Sequence, residues 1–125
     1  MRVLSEFTLG TPPHVAQQLA VYCDLVVAWN QRVDLTAARS ADELVDLLLA
    51  DALAIASALP TVAGERWLDV GSGVGAPGIP LALLLPLNMT LIEPREKRVA
   101  FLRTAVGSLS RARLGELRSV VTDWR

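Results

Sequence analysis

Six residues in the middle of the chain have the types and spacing to hold a nucleotide-like cofactor: Asp69, Gly71, Gly73, Gly75, Ala76 and Glu93. The three glycines, at two-residue spacing, follow an apolar stretch and precede a helix-forming one in the segment RWLDVGSGVGAPGIP at 66–80. Glycine accepts positive φ and lets a ligand come close to the backbone, so such a turn can lay its N–H groups along a cofactor. A plain strand-to-helix turn would use glycines in the same way, and the two carboxylates add to the signal. Glu93 lies 22 residues beyond Gly71, at the end of the next apolar segment. An acidic side chain there can accept both ribose hydroxyls of an adenosine-containing cofactor. This spacing also suits NAD, whose looser fingerprint accepts Ala76 at its sixth position. Asp69 argues for S-adenosylmethionine instead, because a carboxylate just ahead of the loop opposes a pyrophosphate and suits the cationic methionine end of the methyl donor.

The elements that must position these residues follow from periodicity. After Gly64 the pattern alternates strand, turn and helix, which predicts βαβ units and a parallel sheet. Trp67, Leu68 and Val70 form the first strand, about 78–85 the next helix, 89–93 the second strand and 95–108 a helix with Val99, Leu102 and Val106 buried. A third strand is expected over 117–122. Ahead of the loop, Val15, Leu19, Tyr22, Val26 and Trp29 recur at three- and four-residue steps, predicting a helix to about Asn30 with Thr11 as N-cap and Pro12 first. A second helix starts at Ser40, whose spacing to Glu43 completes a capping box, and runs through Leu44, Leu47, Leu48, Leu53 and Ile55 to about Leu59. The expected organisation is an N-terminal helical cap region at 1–62 and a partial Rossmann-like cofactor-binding region at 63–125, together one domain. His14 is expected to face solvent and Cys23 to be a small semi-buried residue; neither is assigned catalysis, and no metal site is expected.

Composition bounds the alternatives. With 125 residues, 52% apolar and 20% charged, the chain is a globular domain. Residues 71–92 carry no charge, but Gly71, Gly73, Gly75, Gly78, Pro77, Pro80 and Pro86 break them well short of the ~20 apolar residues a bilayer span needs. No membrane association and a cytoplasmic location are therefore expected, and no secretory leader is evident. A single cysteine excludes an intramolecular disulfide. Charge is uneven: residues 1–70 hold four Arg against nine Asp/Glu, and residues 71–125 hold eight Lys/Arg against four Asp/Glu, which gives −5 and +4. Arg95, Lys97, Arg98, Arg103, Arg111, Arg113 and Arg118 form a basic stretch that can contact phosphates or simply solvate a helix. No aromatic residue is interleaved there to stack bases.

The stretch LDVGSGVGAPGIPLAL resembles the cofactor motif of the glucose-inhibited division protein B family, bacterial small-subunit rRNA guanine-N7 methyltransferases. WNQRVDLTA at 29–37, LLLADALAI at 47–55 and TLIEPREKRVAFLR at 90–103 resemble further segments of that family, so the similarity spans about residues 15–110. The resemblance implies a class I S-adenosylmethionine-dependent methyltransferase fold, Gly71 and the backbone at Ala76 near the cofactor, Glu93 at its ribose, and 16S rRNA or the small ribosomal subunit as partner. Departures from the family pattern are Ala76 in place of a bulky residue, Asp34 in place of Asn, and Leu48 and Ala52 in place of His and Ser, with Asp51 retained. A pocket shaped by that polar set would be altered.

Methyl transfer to guanine N7 needs little acid–base help, since N7 already presents a lone pair; positioning would do most of the work. By length, only the first half of the parallel sheet is expected, the chain ending near the family's Arg-Ala-Glu segment. An unpaired sheet edge and bare apolar surface follow, and with them possible self-association. A truncated or degenerate homologue that binds cofactor or a partner without catalysis is the alternative, and a small-molecule methyltransferase a third reading.

Overall fold

The computed structural model describes residues 12–38, 40–60, 62–112 and 118–123. Helix α1 spans Pro13–Asn30 and α2 spans Ala41–Ala58. They are followed by strand β1 at Arg66–Val70, helix α3 at Gly78–Leu84, strand β2 at Asn88–Glu93, helix α4 at Glu96–Ala112 and strand β3 at Arg118–Asp123. The sheet order is β1-β2-β3 and both pairings are parallel. Parallel neighbours require crossovers, and α3 and α4 supply them, giving the half-sheet of a Rossmann-like α/β fold.

Local chemistry explains most of the boundaries. The Ser40 hydroxyl accepts from the Glu43 amide at 3.1 Å, and Asp42 and Glu43 lie in the first turn, where the helix dipole favours negative charge. At α1 the expected cap moves by one residue: Pro12 occupies the cap position without a side-chain bond and Pro13 opens the helix. Thr11, expected as the cap, lies outside the described residues, as do Leu117 at the start of the third strand and Arg113 of the basic stretch. Pro is well suited to the first helical position because its missing N–H has no partner to lose there.

The core draws on α1, α2, α3, β2 and α4. Val15, Leu19, Tyr22 and Val26 of α1 are buried as the periodicity requires, and Trp29 meets Phe101 of α4 edge-on at 5.7 Å between ring centres. Leu44, Leu48, Leu49 and Ala52 of α2 are buried, whereas Leu47 is exposed. α2 packs on α3, and α1 on both α3 and α4. Among the described residues, these helices cover one face of the sheet. On that face Met89, Leu91 and Glu93 of β2 are buried, with Trp67 and Asp69 of β1 beside Met89 and Leu91 in register. On the other face Leu68 and Val70 are 66% and 60% exposed, beside Thr90 and Ile92. Among the described residues β1 pairs with β2 alone and is an edge of the sheet.

Candidate functional site

The glycine turn leaves β1 and is stapled to the end of β2. The Gly71 and Ser72 amides both donate to the Ile92 carbonyl, at 2.8 and 3.0 Å. The Gly75 amide donates to the Ser72 carbonyl at 2.8 Å, and the Ser72 hydroxyl to the Asp69 carbonyl at 2.7 Å. Gly71, Gly73 and Gly75 all have positive φ, of 73°, 58° and 92°, a backbone shape that other residues adopt at a penalty.

The turn has two unlike sides. A Cβ on Gly75 would lie 2.7 Å from Ile79 Cδ1 and 3.0 Å from Leu102 Cδ2, and one on Gly78 would lie 2.5 Å from Asp69 Oδ2 and 2.6 Å from Leu91 Cδ2. These two glycines let helix α3 press onto the sheet. A Cβ on Gly71 would meet nothing within 4 Å, and one on Gly73 would only touch Gly71 O at 3.9 Å and Arg98 Nη1 at 4.0 Å. That side is open to a ligand. The Gly71, Ser72, Gly73 and Gly75 amides are committed within the protein, however, so these four do not form the row of N–H donors that the spacing suggests.

The carboxylates hold the turn in shape. Glu93, only 2% exposed, accepts from the Gly73 amide through Oε1 and from the Arg95 amide through Oε2, both at 2.8 Å. Asp69 Oδ2 accepts from the Gly78 amide at 3.1 Å. Burial pushes the Asp69 carboxyl above its usual range, while the Gly78 amide and the adjacent Ser72 hydroxyl pull the other way. Asp69, Gly71, Gly73, Gly75, Ala76 and Glu93 are thus brought together in one turn. Within it Gly75 belongs to the packed side, and Ala76, in a cis peptide with Pro77, is half-buried against the core.

One residue of this assembly escapes a reading based on glycines and acids. Tyr22 of α1, fully buried, donates its hydroxyl to the Val74 carbonyl at 2.8 Å. Burial, then the neighbouring Cys23 and Asp69, raises its phenol well above the ordinary value, so it stays a neutral donor. The signal was its chemistry: a tyrosine in a buried stripe needs a partner for its hydroxyl. Cys23 is half-buried, and desolvation together with Asp24 pushes its thiol up to about 11, which removes the thiolate a nucleophile needs. His14 is exposed, as expected. Leu48 and Ala52, at the positions of the family's His and Ser, lie in the core, and Asp51 is exposed. Asn30 Oδ1 accepts from the Leu35 and Thr36 amides at 2.9 and 3.0 Å and so fixes the connection between α1 and α2. Among the described residues no group of three or more His, Cys, Asp or Glu side chains is placed to hold a metal ion. No helix among them is long and apolar enough to cross a membrane.

Comparison with known proteins identifies the family. Residues 15–123 match the GidB family, described as rRNA small subunit methyltransferase G. Proteins named ribosomal RNA small subunit methyltransferase G are similar in sequence. One from Ectopseudomonas mendocina is 41% identical over 112 residues, covering 87% of this chain and 51% of its own length. Another, from Salmonella agona, is 38% identical over 103 residues, covering 82% and 48%. A third, from Pseudomonas syringae pv. tomato, is 43% identical over 86 residues, covering 68% and 39%. The chain spans about half the length of the curated relatives it matches. With the family match extending from α1 to β3, the chain belongs to the rRNA small subunit methyltransferase G family, and its half-sheet and glycine turn are those of a class I methyltransferase fold.

Proposed function

We propose that this chain serves an S-adenosylmethionine-dependent methyltransferase that transfers a methyl group to N7 of a guanine in 16S rRNA, within the small ribosomal subunit, in the cytoplasm. The observation that carries the reading is the open side of the turn at Gly71 and Gly73, next to two carboxylates, in a chain of this family. S-adenosylmethionine, when bound, supplies an electrophilic methyl group on a sulfonium. Gly71 and Gly73 give its adenosine and methionine parts room against the backbone. Glu93 lies behind the turn on the ribose side; with both oxygens bonded to backbone amides and only 2% of the residue exposed, it meets the ribose hydroxyls where one of those bonds yields. Asp69 places negative charge at the foot of the turn, on the side suited to the methionine ammonium. Gly75 and Ala76 shape the turn from within. Guanine N7 would form the new N–C bond with its own lone pair as the S–C bond breaks and S-adenosylhomocysteine leaves, so the protein's work is to hold the base in line with the methyl group.

Calorimetry with S-adenosylhomocysteine tests the cofactor assignment: binding by folded protein is expected, weakened by Glu93→Ala, and no detectable heat of binding would end it. Methyl incorporation into small-subunit particles and not into free nucleosides is the result expected for the substrate. The bare face and edge of β1 further support self-association through Leu68 and Val70. Sedimentation across a concentration series should show it, and Val70→Lys should abolish it.

A further inference from the structure

We propose that the cleft between the α1–α2 connection and the start of α4 docks the phosphodiester backbone of the RNA. The proposal deepens the RNA methyltransferase reading and rests on it. Arg32, Val33 and Asp34 line one wall of a cavity of about 620 Å³, and Arg95, Glu96, Lys97 and Arg98 line the other. Four cations against two carboxylates make the cavity net basic. Arg32 stands far outside the basic stretch of the sequence, in the acidic half of the chain, and the fold alone joins it to that stretch.

Three features separate this cleft from an ordinary solvated helix face. First, its walls are held in place. Asn30 fixes the connection from one side, and the Arg32 and Val33 amides donate to the Trp29 carbonyl at 2.9 and 2.8 Å. Second, the cations come from two elements and converge on one space. Like charges gathered in this way repel unless an anion lies between them. Third, the cleft runs into the glycine turn: the Arg95 amide binds Glu93, and Arg98 Nη1 lies 4.0 Å from the place of a Cβ on Gly73. A phosphate held here sits beside the cofactor side of the turn, within reach of a base presented to it. Guanidinium forks suit phosphate oxygens, and such contacts fix register without reading sequence.

Binding of the chain to a labelled small-subunit rRNA fragment between 50 and 200 mM salt tests the assignment. The triple variant Arg32→Ala, Arg95→Ala, Lys97→Ala is expected to bind RNA at least about tenfold more weakly, and its log–log salt slope to fall by about two to three. All three side chains are exposed, so the fold should persist; Arg98 is left in place because it abuts the turn. Arg103→Ala, further along α4, should change neither quantity, and the conservative variant Arg32→Lys, Arg95→Lys should keep most of the slope. A triple variant with wild-type affinity and slope overturns the proposal. So does a wild-type chain that binds S-adenosylhomocysteine but no RNA, or a loss no larger than that from Arg103→Ala. Loss of RNA affinity in the triple variant, with no S-adenosylhomocysteine bound by any form, would instead overturn the methyl-donor reading and support the cleft.

Discussion

The two faces of the three-stranded sheet carry similar side chains to opposite ends. Leu91 on the helix-covered face is fully buried, while Leu68, one strand away and pointing the other way, is 66% exposed. Alternation along a strand sends successive residues to opposite faces, so a single apolar run such as WLDV feeds both. What differs is the cover. The candidate site is built wholly from the covered face and its rim: Asp69 and Glu93 project from it, and the turn closes over it. The packed core and the candidate site therefore share one face, and the proposed self-association would use the other.

The largest effect expected from this contrast is at Leu91, where Leu91→Ala should cost about 2–5 kcal/mol in urea unfolding. Gly78→Ala comes next, at about 1–3 kcal/mol, because the new methyl group would meet both Asp69 and Leu91. Its effect on S-adenosylhomocysteine affinity should exceed its effect on stability, since Asp69 must move. Tyr22→Phe should cost about 1–2 kcal/mol, leaving the Val74 carbonyl without its donor, and should weaken S-adenosylhomocysteine binding without unfolding the chain.

Asp69→Asn is expected to act through pH. Burial raises the wild-type carboxyl, so the fold favours its protonated form. The stability it contributes is fully present below the unfolded-state value, and it is lost as pH rises through the folded-state value. Urea midpoints compared from acid to neutral pH should show the Asn variant gaining on wild type as pH rises; a constant difference would break the assignment. The smallest effect is at Leu68: Leu68→Lys should alter stability by less than about 0.5 kcal/mol while reducing self-association. Equal losses at Leu68 and Leu91 would erase the contrast between the faces.

Much of this arrangement was legible from residue types. Ser40 with Glu43 marked a helix start, the stripe from Val15 to Val26 marked a buried face, and Gly71, Gly73 and Gly75 marked a turn with positive φ. Glycine spacing could not reveal which way the amides point. That depends on the Ile92 carbonyl and the Glu93 carboxylate, which reach the turn only once β2 lies beside β1. Nor could it divide the glycines into packed and open, because the difference lies in the approach of Ile79, Leu91 and Leu102. Tyr22 read as core, which it is; its bond to Val74 spans 52 residues and no local pattern carries it. Arg32 read as one more charge for the same reason.

That bond from Tyr22 also bears on how the domain assembles. The turn is short-range in sequence, yet the lock on its carbonyl comes from the first helix, and bringing the two together closes a long stretch of chain at an entropic cost that grows only slowly with length. Segments that order only when distant parts meet are formed late and opened with their partners. The glycine turn is therefore tied to both the helical layer and the sheet, and its native shape depends on the two being docked.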